Sequence, residues 1–272
     1  MRGLILSIAI GAVCLPVWAA DAITSAGSNP DNVNVDQIIH KFAEKETEFA
    51  QARNDYTYRQ TVKLEELDPS GNPTGGRWDL VEDIIFTPEG KRMEKVVYAP
   101  VPSLQNIILT PQDEQDLRNV QPFVMTTAEI PEYEIHYLGR EKIDEIGTYA
   151  FSVKPKKLEK GKRYFEGEIW VDDRDLQIVK TYGKGVGVRQ GDDQYPRFET
   201  YRQQIDGKYW FPTYTRADDT LHFKSGENQR IRMIVTYKDY KRYEGRSTIK
   251  YGAVVDNNGN ATTPPDVPPQ KK

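Results

Sequence analysis

The sequence predicts a mainly β fold of the α+β class: a large curved antiparallel sheet, or half-open barrel, with an N-terminal amphipathic helix and a short lid helix. From Tyr56 onward, apolar and polar residues alternate with a period of two in about ten or eleven segments. Several linkers have hairpin length, such as Asp206-Gly207. Only 38% of the 272 residues are apolar and the mean hydropathy is -0.69, which suits a sheet with one solvated face.

The N-terminus has the pattern of a secretory signal peptide over residues 1–20. Arg2 precedes an apolar run over residues 4–15, and Ala19-Ala20 offers small residues for cleavage. The run is short for a membrane span, which needs about 20 residues. Cys14, the single cysteine, follows a valine rather than a small residue, so we do not expect a lipid anchor there. We expect an exported, periplasmic protein, with residues 21–33 as a flexible lead.

One amphipathic helix precedes the strands. Asn34 can cap it, and Gln37 completes a capping-box pattern. Apolar residues then recur at helical spacing until Arg53-Asn54, where we expect the helix to end. Its apolar stripe must be buried against the sheet.

The helix and the strands that follow it form one predicted domain over residues 34–251. After the strand that begins at Tyr56, the alternating segments are Leu80–Thr87, Met93–Tyr98, Tyr133–Arg140, Thr148–Pro155, Arg163–Val171, Leu176–Tyr182, Arg197–Ile205, Lys208–Arg216, Gln229–Tyr240 and Gly245–Tyr251. Residues 252–272 are rich in Asp, Asn, Gly and then Pro, which predicts a disordered tail.

The alternation stops once, between Ala99 and Glu132. Leu104, Ile107 and Ile108 form an apolar cluster there, and Thr110-Pro111 can cap a short helix. This stretch is either a connector that plugs one end of the barrel or a mobile lid over a cavity.

The composition argues against several chemistries. A net charge of -4 lacks the basic excess of a nucleic-acid binder. None of the three histidines lies three or four residues from another, and the mature chain would lack cysteine, so we expect neither a metal nor a cofactor. No serine lies in a nucleophile elbow. Paired carboxylates converging in space remain an open route to a hydrolase, but we predict a protein that is not an enzyme.

Two segments resemble a known family. Residues 147–156, and then 165–172 followed by 176–180, are similar to the paired central strands of the periplasmic lipoprotein-sorting carrier superfamily (LolA-like). The match as a whole would cover roughly Val35 to Tyr240. The resemblance implies a half-barrel closed by helices around an apolar cavity for acyl chains. It also implies an arginine inside the barrel that governs the lid. Arg59, Arg77 and Arg92 all lie near the expected early strands, and none has a diagnostic context.

The leading functional hypothesis is therefore a periplasmic binding or carrier protein for a lipid or lipoprotein acyl group, held in the concave face of the sheet. A lipoprotein or another envelope protein is the second candidate partner. The lid would consist of Leu104, Ile107 and Ile108, and the ligand cavity of Tyr58, Val62, Leu64, Phe151, Ile169, Val171, Ile231, Met233 and Val235. The alternatives are an envelope module that recognises a protein or glycan with a filled core and, third, a hydrolase.

Overall fold

The structure, a computed structural model, describes residues 34–87, 90–188 and 195–243, together with the backbone of 254–255 and 261–262. The chain divides into two units, Met1–Val33 and Asn34–Lys272, and the described residues belong to the second. The predicted signal peptide, the flexible lead, the strand Gly245–Tyr251 and most of the tail lie outside the described residues.

The described elements are helices α1 and α2 and strands β1 to β12. Short 3-10 turns occupy Arg53–Asp55 and Ile130–Glu132, and a π turn occupies Asp116–Val120. The bounds are α1 Val35–Ala52, β1 Tyr56–Leu67, β2 Pro73–Phe86, β3 Arg92–Tyr98, α2 Pro111–Gln115, β4 Tyr133–Ile143, β5 Ile146–Pro155, β6 Tyr164–Asp172, β7 Ile178–Val186, β8 Arg197–Ile205, β9 Tyr209–His222, β10 Asn228–Arg242, β11 Val254–Val255 and β12 Ala261–Thr262.

Ten of the strands form one antiparallel sheet in the order β3-β2-β1-β10-β9-β8-β7-β6-β5-β4. Because β10 returns to pair with β1, the first and last strands of this sheet meet inside it as its third and fourth strands, where Val62 pairs with Val235 and Leu64 with Met233. Among the described strands, β3 and β4 are the two edges, so the sheet is not closed. The prediction of a mainly β, half-open barrel with an N-terminal helix is confirmed.

Helix α1 lies across the inner face of the sheet. The side chain of Asn34 accepts a hydrogen bond from the Gln37 N–H (3.1 Å), as the sequence predicts for the N-cap. The ring of Phe42 lies 5.5 Å from that of Phe151 on β5, and the ring of Phe49 lies 5.0 Å from that of Phe211 on β9. The helix therefore buries its stripe against the half of the sheet that contains β5 to β9.

Two tryptophans pack on the opposite face. Neighbouring residues of a strand point to opposite faces, and Trp170 and Trp210 adjoin residues that face inward. Trp170 packs with Ala150 and Val179, and Trp210 packs against this cluster. These two tryptophans therefore serve packing on the outer face.

The structure differs from the sequence prediction in the bounds of several elements: β7 ends at Val186 rather than Tyr182, and β9 at His222 rather than Arg216. Strand β2 begins at Pro73 rather than Leu80, although prolines and glycines usually interrupt strands. Gly76 is needed there because a Cβ at this position would lie 2.1 Å from a carboxylate oxygen of Glu66. The predicted lid helix is α2, five residues long, and continues into the π turn as far as Val120.

Candidate ligand cavity

A cavity of about 430 Å³ lies between the inner faces of β1, β2, β8, β9 and β10 and the segment 106–121. This segment, called the cover here, comes from the stretch that interrupts the strand pattern. Apolar side chains dominate the lining. They are Leu64, Trp78, Ile107, Ile108, Leu109, Leu117, Pro196, Phe198, Leu221, Phe223, Ile231 and Met233, and the polar members are Asn106, Thr110, Asp113, Asp116, Gln121 and Tyr195.

The floor of the cavity follows from the alternation of β1 and β10. Leu64 pairs with Met233 on one side and with Trp78 of β2 on the other, so all three share a face. Ile231 lies two residues before Met233 and therefore also faces inward. Helix α1 covers the half of the inner face that contains β5 to β9. The half that contains Leu64, Trp78 and Met233 lies under the cover.

The carboxylate of Glu66 holds the start of the cover. It is fully buried and accepts hydrogen bonds from the backbone N–H groups of Gln105, Asn106 and Ile107 at 2.7–3.1 Å. Bonds to an ionised acceptor are stronger than neutral ones. The turn that carries Ile107 into the cavity is therefore attached directly to the end of β1.

Two aspartates at the cavity wall already have partners. Asp113 closes a capping box by accepting from the N–H and the hydroxyl of Thr110 (2.7 and 2.8 Å). Both oxygens of Asp116 accept from the Arg163 guanidinium (2.8 and 2.6 Å). Burial raises the pKa of Asp116 despite this ion pair.

Gln121 is the buried amide of the cavity lining. Its backbone oxygen accepts from the Thr200 hydroxyl (2.9 Å) and its Nε2 lies 3.8 Å from the sulfur of Met233. Its Oε1 is buried and has no hydrogen-bond partner. A buried polar atom without a partner is uncommon in folded proteins.

A polar cluster adjoins the cavity and joins the edge strand to the cover. Glu94 of β3 accepts from Arg92 (2.9 Å) and from two nitrogens of Arg118 (2.8 and 2.9 Å). Arg92 also donates to the hydroxyl of Tyr58 (2.8 Å), whose pKa is raised by burial. Burial works to raise the pKa of Glu94, but the bonds from Arg118 and Arg92 outweigh it and lower that pKa.

Five of the residues predicted for the site line this cavity, and seven do not. Those in the lining are Leu64, Ile231, Met233, Ile107 and Ile108. Val62 and Val235 pair one row further along the sheet and are fully buried, as are Ile169 and Val171. Phe151 packs under α1, Tyr58 lies in the polar cluster, and Leu104 is half-buried at the start of the connecting segment.

The strand pattern alone could not separate the residues that line the cavity from the other inward residues, because all of them follow the same two-residue alternation. The other lining residues were not predicted, among them Trp78, Leu117, Gln121, Phe198 and Leu221. Trp78 and Leu221 carry a usable signal, since each is a large apolar residue that continues the inward alternation of its strand beyond the predicted bounds. Gln121 carries none, because a single amide in an irregular segment is compatible with any exposure.

The arginine implied by the family resemblance has no counterpart in the lining. Arg59 and Arg77 are exposed, and Arg92 belongs to the polar cluster. The buried arginine of the inner face is Arg202 on β8, which forms a bidentate pair with Glu46 of α1 (3.0 and 3.2 Å) and donates to the Phe123 carbonyl.

Two kinds of feature are absent from the described residues. Within residues 34–87, 90–188 and 195–243, no group of three or more His, Cys, Asp or Glu side chains is placed to hold a metal ion. No helix in the described part of the chain is long and apolar enough to cross a membrane.

The fold and the cavity define the class as a mainly β half-barrel with an apolar cavity under a covering segment. No protein-family model and no curated protein matches the chain. Among solved structures, it is similar to a DUF1329 family protein from Desulfovibrio piger, with 13% identity over 76% of this chain and 93% of that chain and a TM-score of 0.39. It is similar to a LolA superfamily protein from Nitrosomonas europaea, with 16% identity over 77% and 94% of the two chains and a TM-score of 0.35.

The third structure is MucB, with 10% identity over 75% of this chain and 92% of that chain and a TM-score of 0.26. One of these structures is thus a LolA superfamily protein, the superfamily that the two sequence segments resemble. These are similarities of fold at low identity. The function of the chain has to rest on its own geometry.

Proposed function

We propose that this chain is a non-enzymatic binding protein that holds the acyl chain of a lipid or another amphiphile in the cavity beneath the cover. The observation that carries the proposal is the cavity itself, about 430 Å³ in volume and lined mainly by apolar side chains. Pockets for single small ligands measure about 300–1,000 Å³. Burying apolar ligand area there would supply about 25 cal/mol per Å² before ordering costs.

The same observation argues against the alternative of a filled core. An interaction module that used only its outer surface would need no cavity between the sheet and the cover. A hydrolase would need carboxylates free to act on a substrate, whereas Asp113 and Asp116 are engaged by Thr110 and Arg163. Binding without catalysis is therefore the function that the geometry supports best.

The proposed setting is the periplasm. The basic residue, apolar run and small residues of positions 1–20 support export. Transfer of a lipoprotein acyl group is the more specific form of the proposal, and it rests on the family resemblance alone. The cavity supports acyl-chain binding whether the protein carries, stores or senses its ligand.

The test is uptake of a fluorescent acyl probe by two variants of one segment. Ile107 lines the cavity, whereas Leu104, also half-buried, does not. We expect Ile107→Asp to weaken probe binding at least about tenfold, because a carboxylate would enter the apolar lining. Leu104→Asp should retain the affinity of the unchanged protein. Equal binding by both variants would remove this cavity from the function, and absence of binding by the unchanged protein would overturn the proposal.

A further inference from the structure

A second, smaller pocket of about 240 Å³ adjoins the cavity beside the edge strand β3. Trp78 and Leu117 line both spaces, so the cavity and this pocket share a wall. The other residues that line the pocket are Gln60, Leu80, Glu82, Glu94, Glu114 and Arg118. Because most of these side chains are polar, the pocket suits the head group of an amphiphile better than it suits an acyl chain.

Glu82 of β2 is a carboxyl of this pocket without a partner. It pairs in register with the buried Gln60 of β1, which lies four residues before Leu64 and therefore also faces inward. Glu82 is only 8% exposed, and its side chain has neither a hydrogen bond nor an ion pair with the residues that the structure describes. Its oxygens keep contact with the pocket, because the fully enclosed polar atoms that lack a partner lie on other residues.

The charges around Glu82 leave the pocket short of one cation. Glu94 contacts both Arg92 and Arg118, and Glu114 contacts Arg118 as well (3.3 Å). Three carboxyls thus share two guanidinium groups, and Glu82 is the carboxyl that neither of them contacts. Burial and then the charge of Glu94 raise the pKa of Glu82, since both disfavour its ionised form. The two guanidinium groups oppose this shift without cancelling it.

We infer that this pocket receives a protonated amine with Glu82 as its counter-ion, the amine being the head group of the amphiphile whose chain occupies the cavity. The inference rests on the proposed function and specifies the head group of its ligand. An ammonium group is compact, donates three hydrogen bonds and carries the missing charge. An anionic head group would meet the unpaired carboxyl instead. A single free carboxyl is not the pair that glycoside hydrolysis needs, since both arginines hold Glu94.

The experiment compares three probes with equal alkyl chains: dodecylamine, 1-dodecanol and dodecanoate. Each displaces a fluorescent acyl probe from the full chain, below its micelle concentration and at a mildly alkaline pH where the amine is protonated and dodecanoate is ionised. We expect dodecylamine to bind about tenfold more tightly than 1-dodecanol, as for one hydrogen bond to a charged group. Dodecanoate should bind most weakly, because its charge has the same sign as that of Glu82.

Glu82→Gln tests the counter-ion. The amide keeps the size of the side chain and removes its charge, so the preference for dodecylamine over 1-dodecanol should fall to about twofold or less. Glu65→Gln is the matched control, because it removes the same charge from the adjacent strand β1 on the opposite face of the sheet. It should keep the preference of the unchanged protein. Since Glu82 has no partner to lose, Glu82→Gln should leave the midpoint of thermal unfolding unchanged or raise it.

The outcomes separate the head group from acyl binding itself. If none of the three probes displaces the fluorescent probe, the proposed function and the inference are both overturned. If the probes compete but dodecylamine binds no more tightly than 1-dodecanol, the head group is wrong while acyl binding stands. A preference that persists in Glu82→Gln, or that Glu65→Gln loses equally, would overturn the role of Glu82. The ranking of the probes on the unchanged protein does not depend on the folding of either variant.

Discussion

Glu66 shows how one side chain can position a whole segment. Its buried carboxylate accepts three backbone N–H groups of residues 105–107, which are otherwise in a stretch without regular structure. Replacing it by the isosteric amide removes the charge and one pair of acceptor sites. We expect Glu66→Gln to lower the free energy of unfolding by about 1–3 kcal/mol. Hydrogen exchange of residues 104–109 should increase more than that of the strands.

Two further variants examine this contact. Gly76→Ala should have the same effect, because the added Cβ would lie 2.1 Å from a carboxylate oxygen of Glu66 and displace it. Glu65→Gln is the control, since the side chain of Glu65 points to the other face of β1. If exchange in residues 104–109 is the same in all three variants, the carboxylate does not hold the segment.

The contribution of Glu94 to the free energy of unfolding depends on pH. Because Arg118 and Arg92 lower its pKa below the ordinary value of 4.5, its ionised form stabilises the folded protein above that value. This contribution is lost as the pH falls through the lowered pKa. The difference in unfolding free energy between the unchanged protein and Glu94→Gln should therefore be largest near neutral pH and shrink in acid. Denaturant titrations at several pH values measure it.

The control for this series is Glu114→Gln. Glu114 is exposed and contacts the same guanidinium of Arg118 at 3.3 Å. An exposed ion pair contributes little to stability, so this variant should show a smaller difference at every pH. A Glu94→Gln difference that stays constant from neutral to acid pH would contradict the role given to the ionised carboxylate.

At the scale of elements, the cover (residues 106–121) should tolerate polar substitutions that the sheet does not. Ile108 is 88% exposed, whereas Val235 of β10 is 0% exposed. Ile108→Asp should change the free energy of unfolding by less than about 0.5 kcal/mol, the range for surface positions. Val235→Asp should cost several times more, because it buries a carboxyl without a partner. Thermal denaturation compares the two, and equal losses would make the segment a structural plug.

The elements differ in how far the sequence predicts them. Strand β10 and helix α1 follow from local pattern, since alternation around Ile231 and the cap at Asn34 each operate within a few residues. The start of β2 at Pro73 does not, because Gly75 and Gly76 suit a turn equally well until Glu66 occupies the space beside Gly76. Tertiary contacts decide this boundary.

At the scale of the molecule, the cavity lies where parts distant in sequence meet. Leu64, Met233 and Ile107 come from β1, β10 and the covering segment, and the sequence places all three on inward or covering positions. It does not predict where α1 ends its coverage of the sheet. That boundary depends on the packing of Phe42 and Phe49 against β5 and β9. The inner face is thus predictable as a face, but its division into core and cavity is not.

One buried ion pair links helix α1, the sheet and the residues that follow the cover. Glu46 of α1 and Arg202 of β8 are almost fully buried and pair through both guanidinium Nη atoms, while Arg202 also donates to the Phe123 carbonyl. Glu46 accepts from the N–H of Ile178 as well (3.0 Å). Removing one partner leaves a buried charge without compensation, which costs about 3–5 kcal/mol in comparable sites.

A double-mutant cycle separates the pair from the packing around it. Glu46→Leu and Arg202→Met should each lower the free energy of unfolding by about 3–5 kcal/mol, because each strands the other charge. The double variant removes both charges and keeps apolar volume, so its loss should be well below the sum of the single losses. Urea unfolding of the three variants measures the coupling. Additive losses would mean that Glu46 and Arg202 contribute separately rather than as a pair.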